Sequence, residues 1–377
     1  MRARPVGGPD DRLAAGVVLV VEQLRRAVPG GIGTYTRALL GGLASLAEAD
    51  RPHCRLYASR PRERPDPLDD LGFPVRTSPW PAAVLVRAWG AGFGRVGRDA
   101  AIVHATSSAC PPAAAPLTAA IHDLAWRTLP EAYPAHGRRW HERALRRVAR
   151  RAACVIVPSE ATAHALREAG VGVADDRIAV VEEGSDHLAP ADEAAAHGVL
   201  ARLGVGSDYL LAVGTLEPRK NLARLVAAYA IVRQRHAAPG PLVIVGPPGW
   251  GDPTATPQAG VVFTGPVSDP VLAGLYAGAH LVVYVPLVEG FGLPVVEAMR
   301  AGTPVVASAV PSSAGTAYEV DPYDVEAIAE GLVRVSAAED LRTRLVAAGR
   351  ARVDLLTWRA AAAGHLAVWR RLLGVAP

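Results

Sequence analysis

Short apolar runs alternate with longer amphipathic segments along most of this chain. An apolar run of about four to eight residues bounded by turn residues is typical of a strand buried on both faces, and such strands form parallel sheets. The longer segments then supply the crossover helices that parallel strands require. The pattern predicts an α/β fold, and the 377 residues are enough for two domains.

The alternation runs through the chain twice. In the first series we predict strands at 16–21, 101–105, 117–122 and 154–158, with helices at 34–46, 137–152 and 160–168. In the second we predict strands at 210–213, 242–245, 261–263, 281–285 and 304–307, with helices at 222–235, 270–277, 293–301, 324–337, 338–348 and 357–373. Two doubly wound, Rossmann-like domains are expected, and ligands usually bind such domains in a cleft at the carboxyl ends of the strands.

The domain boundaries follow from where strand character is lost. We predict a disordered N-terminus at 1–14, domains at 15–190 and 207–355, a linker at 191–206 and a C-terminal helix within 356–377.

Residues 1–14 lack an apolar signal core, and no apolar run approaches the roughly 18–20 residues needed to span a bilayer. The three cysteines are widely spaced, with no Cys-x-x-Cys. The expectation is a cytoplasmic protein without structural zinc.

One lysine and one asparagine stand out in this composition. The chain has 40 Lys and Arg residues, of which only Lys220 is a lysine, and the only asparagine is its neighbour Asn221. Such a bias indicates a genome rich in G and C, where arginine serves wherever a generic positive charge is enough. The adjacent pair therefore predicts a site that needs both residue types. The net charge is only +4 and is spread along the chain, which is too little to predict a nucleic-acid binder.

The segment Gly214–Asn221 lies between a predicted strand and a predicted helix. Asn221 is expected to cap the helix, whose first amides carry a partial positive charge. Arg219 and Lys220 lie directly before that end, so the segment predicts a phosphate site. A capped helix with a solvated basic pair is the alternative.

A second segment, 289–297, follows a very apolar run and reads Glu-Gly-Phe-Gly-Leu-Pro-Val-Val-Glu. Its glycines would let backbone amides approach a ligand closely. Glu289 is expected in a strand-to-helix loop and Glu297 one turn inside the helix, where carboxylates accept hydrogen bonds from sugar or ribose hydroxyls. Solvated charges at a helix start are the alternative for either glutamate.

Several stretches together make the sequence resemble a known family. "GTLEPRKNL" and "EGFGLPVVEAMRAGTPVVAS" in the second half, with "GGIGTYTRALL", "IHDLAW" and "VIVPSEATAHAL" in the first, are similar to the retaining glycosyltransferases of family 4. These enzymes have the GT-B fold, two Rossmann-like domains around a central cleft, with a last helix that crosses back to the N-terminal domain. The resemblance covers about residues 16 to 370. It implies that the first domain binds the acceptor and the second the donor.

The resemblance also implies roles for individual residues. Arg219 and Lys220 would bind the diphosphate of a nucleotide-sugar donor, Glu297 the ribose and Glu289 the donor sugar, with His122 lining the sugar near its anomeric centre. The catalytic set would be His122, Glu289, Arg219 and Lys220. The donor site would be completed by backbone at Gly31, Gly33, Gly214, Gly290, Phe291, Gly292 and Leu293.

Two motifs of this sequence are open to other interpretations. A Rossmann dinucleotide site is disfavoured because the glycine loop at 30–33 lacks the third glycine of Gly-x-Gly-x-x-Gly. His122 on its own is also consistent with a structural hydrogen-bonding role. No Asp-x-Asp occurs in the chain, so no metal and no cofactor beyond the nucleotide-sugar co-substrate are expected.

An arginine-dense segment suggests contact with anionic groups. Its arginines are Arg138, Arg139, Arg143, Arg146, Arg147, Arg150 and Arg151. They predict either contact with lipid head groups or a lipid-linked acceptor, or simply a solvated helix face. The stretch 79–93, with two tryptophans, is expected to pack in the core, a membrane-facing loop being the alternative.

The overall expectation is a cytoplasmic retaining glycosyltransferase, peripheral at the inner face of the cell membrane. The donor would be a GDP-, UDP- or dTDP-sugar, with GDP-mannose suggested by similarity to bacterial mannosyltransferases. The acceptor would be a glycan, a lipid-linked or a small-molecule hydroxyl, and no nucleic acid is expected. The alternatives are a nucleotide-sugar epimerase, a phosphorylase, or a non-catalytic partner of another glycosyltransferase. Two departures from the family pattern bear on this: a shortened loop after Ser308, and Glu183-Gly184 where the family usually has Asn-Gly.

Overall fold

A computed structural model describes residues 15–62, 64–235, 240–250 and 258–375. They form two compact units. The first contains the described residues up to Leu124, Pro134–Glu183, and those from Trp358 onward; the second contains Ala125–Tyr133 and Gly184–Thr357. The disordered N-terminus predicted at 1–14 lies outside the described residues.

Each unit is built on one parallel sheet. In chain order the strands are β1 (Val17–Val20), β2 (Cys54–Ala58), β3 (Val75–Thr77), β4 (Ile102–Ala105), β5 (Leu117–Ala120), β6 (Cys154–Val157), β7 (Ile178–Val180), β8 (Leu210–Val213), β9 (Leu242–Val245), β10 (Val261–Gly265), β11 (Leu281–Tyr284), β12 (Val305–Ala307) and β13 (Tyr318–Glu319). The first seven form one sheet and the last six form the other.

The α-helices of the described residues lie between and after these strands. In chain order they are α1 (Gly30–Ala44), α2 (Ala82–Gly90), α3 (Ala125–Thr128), α4 (Ala135–Arg151), α5 (Glu160–Glu168), α6 (Glu193–Arg202), α7 (Leu222–Arg235), α8 (Asp269–Gly278), α9 (Leu293–Ala301), α10 (Val325–Ala337), α11 (Glu339–Val353) and α12 (Trp358–Leu373). This confirms the predicted α/β class.

Both sheets reverse their strand order once, as doubly wound sheets do. The first runs β3-β2-β1-β4-β5-β6-β7 and the second β10-β9-β8-β11-β12-β13. The reversal points are therefore β1 beside β4 and β8 beside β11. Loops that follow the two strands at a reversal point diverge to opposite faces of the sheet and leave a crevice. In the second unit these loops are the two segments that carry the predicted donor-site residues.

Most of the strands predicted from continuous apolar runs are central in their sheets, although β10, which was also predicted, lies at the edge of the second sheet. Every residue of β1, β4, β5, β6, β9 and β11 is buried, as expected when helices cover both faces of a sheet. The strands missed from sequence lie toward the edges. β2 alternates between buried and half-buried residues, and β3 is exposed throughout, so neither has the apolar run on which the prediction depended.

Most of the segment predicted as a linker, 191–206, forms α6, which belongs to the second unit. Asp192 caps this helix, its Oδ1 accepting from the amide of Ala195 at 2.9 Å. Ala196 and Leu200 are buried, and Ala196 packs tightly against Gly274 of α8. The alanines that made the segment look featureless are strong helix formers.

The last helix, α12, belongs to the first unit and packs on α1. A Cβ added at Gly42 of α1 would lie 2.1 Å from the carbonyl oxygen of Trp358, so the two backbones are in direct contact. Tyr35 of α1 and His365 of α12 share a hydrogen bond of 2.7 Å between Oη and Nε2. Trp369 donates from Nε1 to Thr118 Oγ1 of β5 at 3.2 Å. The first unit is thus closed by residues from both ends of the described chain.

Candidate functional site

The reversal point of the second sheet brings the two predicted segments together. Lys220 follows β8, and Glu289 follows β11, the strand paired beside it. A backbone hydrogen bond of 2.9 Å from the amide of Leu287 to the carbonyl of Arg219 joins the loops directly. Residues far apart in sequence therefore meet at the carboxyl ends of neighbouring strands.

Glu289 is the centre of this site. Its Oε1 accepts from Arg219 Nη1 at 2.6 Å, from Lys220 Nζ at 2.5 Å and from Tyr284 Oη at 2.6 Å. The Glu289 side chain is only 10% exposed. Burial by itself would raise the pKa of this carboxyl, but Arg219 and Lys220 outweigh burial and lower the pKa to about 2. Glu289 is therefore a carboxylate at neutral pH.

Lys220 is held by two side chains on one side. Its Nζ lies 2.5 Å from Glu289 and 2.6 Å from Tyr284 Oη, and 5.0 Å from the centre of the Tyr284 ring. An ammonium group has three N–H donors, and the structure gives Nζ these two partners among the described residues. Burial lowers the pKa of Lys220, and Glu289 opposes that effect.

Arg219 carries the second positive charge. Its Nη2 lies 2.7 Å from Oε1 of Glu217, a side chain that is almost fully buried. Two cations and two carboxylates thus share one small volume. The stem of Lys220 passes Gly214, where an added Cβ would lie 3.4 Å from Lys220 Cε. A methyl group at Gly214 would be in van der Waals contact with the lysine stem.

Asn221 does not cap the following helix with its side chain, which corrects the prediction. Its Nδ2 donates to the carbonyls of Val285 at 3.0 Å and Pro322 at 2.7 Å, and its Oδ1 accepts from Arg224. Its φ of 61° is the only positive value at a non-glycine residue in the described part of the chain, and asparagine tolerates this conformation well. The lone asparagine is needed for its backbone conformation and its two donors.

The segment Gly290–Gly292, before α9, is supported by the shortened loop that follows Ser308. Gly292 has a φ of +104°, and a Cβ there would lie 2.7 Å from Ser312 Oγ. Ser312 donates to the carbonyl of Gly292 at 3.0 Å, and its amide donates to the carbonyl of Phe291 at 3.1 Å. Ser312 and Ser313 are buried. The short loop therefore supports the segment Gly290–Leu293 through specific hydrogen bonds to its backbone.

Glu297 lies inside α9 and is 6% exposed. Its Oε1 is 2.8 Å from His187 Nε2 and its Oε2 accepts from Tyr276 Oη at 2.6 Å. Burial, followed by the Glu297 charge, raises the pKa of Tyr276 well above its ordinary value, so the phenol stays a donor. The carboxylate that was expected to hold a ribose is thus fixed by two protein groups.

His122 lies in the first unit, two residues beyond β5. Its Nε2 donates to the carbonyl of Thr106 at 3.0 Å, and its Nδ1 lies 3.4 Å from Glu183 Oε1. The Tyr35 ring meets the imidazole edge-on at 4.5 Å between centroids. Burial would lower the pKa of His122, but Glu183 and the Thr106 carbonyl outweigh it and raise the pKa. Glu183, where the family usually has Asn, therefore stabilises the protonated imidazole.

The glycine loop predicted at 30–33 is the first turn of α1 rather than a loop before it. Gly33 is buried, and a Cβ there would lie 2.3 Å from Pro29 Cβ, so the tight start of the helix requires glycine. Gly31 is exposed with open space around its Cβ position. This leaves the backbone of Gly31 accessible to a ligand.

The second unit thus holds most of the predicted site residues, and the first unit holds His122, Gly31 and Gly33. Sequence reasoning missed the partners Tyr284, Glu217, Tyr276 and His187. A tyrosine inside an apolar run looks like a core residue, and nothing local marks a histidine that bonds a residue 110 positions away. Among the described residues, no group of three His, Cys, Asp or Glu side chains is arranged to hold a metal ion.

The arginine-dense segment forms α4 and presents one basic face. Arg139, Arg143, Arg146 and Arg150 are exposed and follow one another at helical spacing, while Ala144, Leu145, Val148 and Ala149 are buried on the other face. We call these four arginines the arginine face. Within the described part of the chain, no helix has both the length and the apolar character needed to cross a bilayer.

The neighbouring stretch 79–93 is core in part only. Leu85 and Trp89 of α2 are fully buried, as expected, but Trp80, Val84 and Phe93 are 40%, 46% and 67% exposed. Arg151 at the end of α4 donates to the carbonyl of Trp89 at 3.0 Å. The end of α4 therefore contacts the backbone of this stretch, which also carries three exposed apolar side chains.

Comparison with known proteins agrees with this arrangement. The model of "Glycosyltransferase Family 4" matches residues 29–187, and that of "Glycosyl transferases group 1" matches residues 207–338. Together they cover more than half of the chain, including every strand of the two sheets except β1. The chain belongs to the family 4 glycosyltransferases. The shortened loop and Glu183 are thus features of a member of this family.

Curated relatives of this family 4 protein include several mannosyltransferases. The chain is 31% identical to O-antigen chain mannosyltransferase B of Escherichia coli over 249 residues, which is 63% of this chain and 65% of the relative. It is 35% identical to phosphatidyl-myo-inositol mannosyltransferase of Mycobacterium tuberculosis over 176 residues, 42% of this chain and 45% of the relative. The chain thus spans between about half and two thirds of the length of these relatives.

Solved structures show that this family 4 protein has the GT-B fold. Sucrose-phosphate synthase of Thermosynechococcus elongatus superposes with a TM-score of 0.70 at 23% identity, over 95% of this chain and 99% of the other. HepE of Anabaena, in complex with UDP-glucose, superposes with a TM-score of 0.64 at 18% identity, over 95% and 98%. At these identities the likeness concerns the fold.

Proposed function

We propose that this protein transfers a sugar from a nucleotide-diphosphate sugar to an acceptor hydroxyl with retention of anomeric configuration. The observation that carries the proposal is the cluster of Arg219, Lys220 and Glu289 at the reversal point of the second sheet. Cations at the carboxyl ends of parallel strands, beside helix starts, are suited to a diphosphate. The name of the first relative, a mannosyltransferase, supports the same reaction class.

In this proposal the departing diphosphate is stabilised by fixed positive charge. Lys220 has one N–H beyond its two protein partners to offer to a phosphate oxygen, and the start of α9 adds a partial positive charge. Charge stabilisation by preorganised groups is usually the largest contribution to catalysis. The acceptor hydroxyl attacks from the face that the diphosphate leaves, and a phosphate oxygen takes its proton. No residue has to form a covalent intermediate.

The same proposal assigns roles to the other site residues. Glu289 contacts the donor sugar, Glu297 the ribose, and the backbone at Gly290–Leu293 the phosphate and sugar. His122, whose protonated form Glu183 stabilises, orients or polarises the sugar. No metal is expected to assist, because the chain has no Asp-x-Asp and the two cations supply the charge. The relatives named mannosyltransferases make GDP-mannose the first donor to test, and HepE with UDP-glucose keeps UDP-sugars in the panel.

The test is turnover of Lys220→Ala with GDP-, UDP- and dTDP-sugars chosen by thermal shift. Loss of turnover of at least about 100-fold is expected, the scale seen when one preorganised donor is removed. The control is Arg235→Ala, whose side chain pairs with Glu326 on an exposed surface and should leave turnover unchanged. NMR of the product gives its anomeric configuration. Near-normal turnover of Lys220→Ala, or an inverted product, would overturn the proposal.

We further propose a lipid-linked or glycan acceptor and a peripheral position on an anionic membrane. The arginine face supports this, because clustered exposed arginines bind anionic head groups, and Trp80 and Phe93 of the same unit are exposed aromatic side chains of the kind that enter the interface. Sedimentation with vesicles of phosphatidylglycerol and phosphatidylcholine tests it. The double variant Arg139→Gln/Arg143→Gln should no longer bind the vesicles, whereas the control double variant Arg233→Gln/Arg344→Gln should still bind them. Equal vesicle binding by the two double variants would contradict the proposal.

A further inference from the structure

We propose that Tyr284 is the positioning residue that aims the ammonium group of Lys220 at the donor phosphate. The inference rests on the proposed function and adds a residue to it. It starts from the last residue of β11, a strand in which every residue is buried. In such a strand a tyrosine normally serves packing alone, with its hydroxyl bonded to a backbone carbonyl.

The hydroxyl of Tyr284 instead bridges two charged side chains. It donates to Glu289 Oε1 at 2.6 Å and accepts from Lys220 Nζ at 2.6 Å. One donor and one acceptor are satisfied, so the phenol has a single orientation. Burial and the neighbouring Glu289 charge raise the pKa of Tyr284 well above its ordinary value, and the hydroxyl therefore keeps its proton.

This arrangement fixes Lys220 through two side chains. Nζ is bonded to Tyr284 and to Glu289, and it lies 5.0 Å from the Tyr284 ring centre, within the range of a cation–π contact. The lysine stem runs past Gly214, where an added Cβ would be in van der Waals contact with it. A tetrahedral ammonium with two N–H groups held in this way has its third pointing in one direction. Without the Tyr284 hydroxyl, only the hydrogen bond to Glu289 would set the rotation of the ammonium group about its Cε–Nζ bond.

The geometry also explains why this position keeps the chain's only lysine. A guanidinium is a wide planar fork, whereas an ammonium is a compact point donor. The space between Tyr284, Glu289 and Gly214 is already bordered by the guanidinium of Arg219. A second guanidinium would have to displace the tyrosine hydroxyl. Tyr284 thus selects lysine over arginine here.

Other buried tyrosines of the same unit show the contrast. Tyr209 donates to the carbonyl of Leu275 at 2.7 Å, and Tyr229 donates to the carbonyl of Gly240 at 2.8 Å. Neither hydroxyl meets an ionised side chain in these bonds. Tyr209→Phe is therefore the matched control, since it removes a buried tyrosine hydroxyl of the same unit without touching Lys220.

The single lysine allows a direct measurement. Growth on lysine labelled with ¹³C at Cε gives one side-chain signal, that of Lys220, provided the expression tag contains no lysine. The charged groups facing Nζ are Glu289, Arg219 and Glu217, and all three remain in Tyr284→Phe. Removing the hydroxyl removes a hydrogen bond that the protonated amine donates. The Lys220 titration of Tyr284→Phe should move to lower pH by about one unit.

The expected result is a shift in Tyr284→Phe and none in Tyr209→Phe. An unshifted Lys220 titration in Tyr284→Phe would overturn the assignment, and so would an equal shift in the control. This measurement needs no substrate, so it tests Tyr284 separately from the proposed function.

Calorimetry with GDP, UDP and dTDP provides the second measurement. Tyr284→Phe should bind the preferred nucleoside diphosphate about tenfold more weakly at pH 7. As pH is raised and Lys220 loses its proton, the affinity of Tyr284→Phe should begin to fall at a lower pH than that of the wild type. Tyr209→Phe should match the wild type at every pH. Equal affinity of Tyr284→Phe and wild type across the pH range would overturn the inference. Failure of the wild type to bind any of the three diphosphates would overturn the proposed function and this inference with it.

Discussion

Asn221→Asp should destabilise the second unit strongly, although Asp and Asn cap helices about equally well. In the structure Asn221 is 3% exposed, and its amide donates to two carbonyls at 3.0 and 2.7 Å. In Asn221→Asp an acceptor oxygen would face those two carbonyl oxygens. Both would lose their donor, and the carboxylate would be repelled.

The magnitude can be worked from these contacts. Leaving a buried carbonyl without its donor costs about 1–3 kcal/mol, so the loss of two gives about 2–6 kcal/mol for Asn221→Gly. Asn221→Ala adds about 1 kcal/mol, because a φ of 61° is unfavourable for alanine. Asn221→Asp should exceed Asn221→Gly, since repulsion is added to the lost bonds. For a unit of this size, about 3 kcal/mol lowers Tm by roughly 6–12 °C.

Differential scanning calorimetry measures the order of the three variants. The control is the reverse exchange at a true cap: Asp324 accepts from the amides of Glu326 and Ala327, so Asp324→Asn should stay within about 0.5 kcal/mol of the wild type. A Tm for Asn221→Asp equal to that of the wild type would refute the reasoning, because it would mean that the amide donors contribute nothing.

Gly292→Ala should lower Tm by several degrees more than Gly315→Ala: both glycines have positive φ, but only at Gly292 would the new Cβ meet a side chain, at 2.7 Å. Equal shifts would show that the contact is unimportant. Gly42→Ala should lower the free energy of unfolding in urea by more than about 2 kcal/mol, since its Cβ would lie 2.1 Å from a carbonyl of α12. Gly41→Ala, which has open space around the new Cβ, should raise the free energy of unfolding by about 0.5–1 kcal/mol. A Gly42→Ala variant as stable as the wild type would contradict the contact. The pKa of Glu289 falls from 4.5 to about 2 on folding, so its contribution of about 3 kcal/mol is present above pH 4.5 and is lost as pH falls toward 2. Glu289→Gln should therefore lose less stability than the wild type between pH 4.5 and 2, and parallel acid titrations of the two would disprove the pairing.

The sequence predicted the site's location better than its contacts. Strand-to-helix loops at 214–221 and 289–293 were recognisable because each follows an apolar run and precedes an amphipathic one. Their meeting follows from the strand order, which places β8 beside β11. The hydrogen bonds of Glu289 depend on side-chain directions that no local pattern encodes.

The same limit explains the error at Asn221. Its position before a helix was correct, and capping is the usual role of asparagine there. Its amide instead serves the carbonyls of Val285 and Pro322, 64 and 101 positions away. Short-range rules describe what a residue does with its neighbours along the chain. They fail where tertiary partners offer a buried polar side chain better bonds.

The place of α12 in the first unit has a consequence for synthesis. A ribosome makes the strands of the first sheet early, but α12, which covers α1 and bonds to β5, is the last helix to emerge. The second unit, whose residues are complete at Thr357, therefore has all its parts sooner. The half of the protein that is translated first must wait, with the α1 surface at Gly42 uncovered, until α12 has been synthesised.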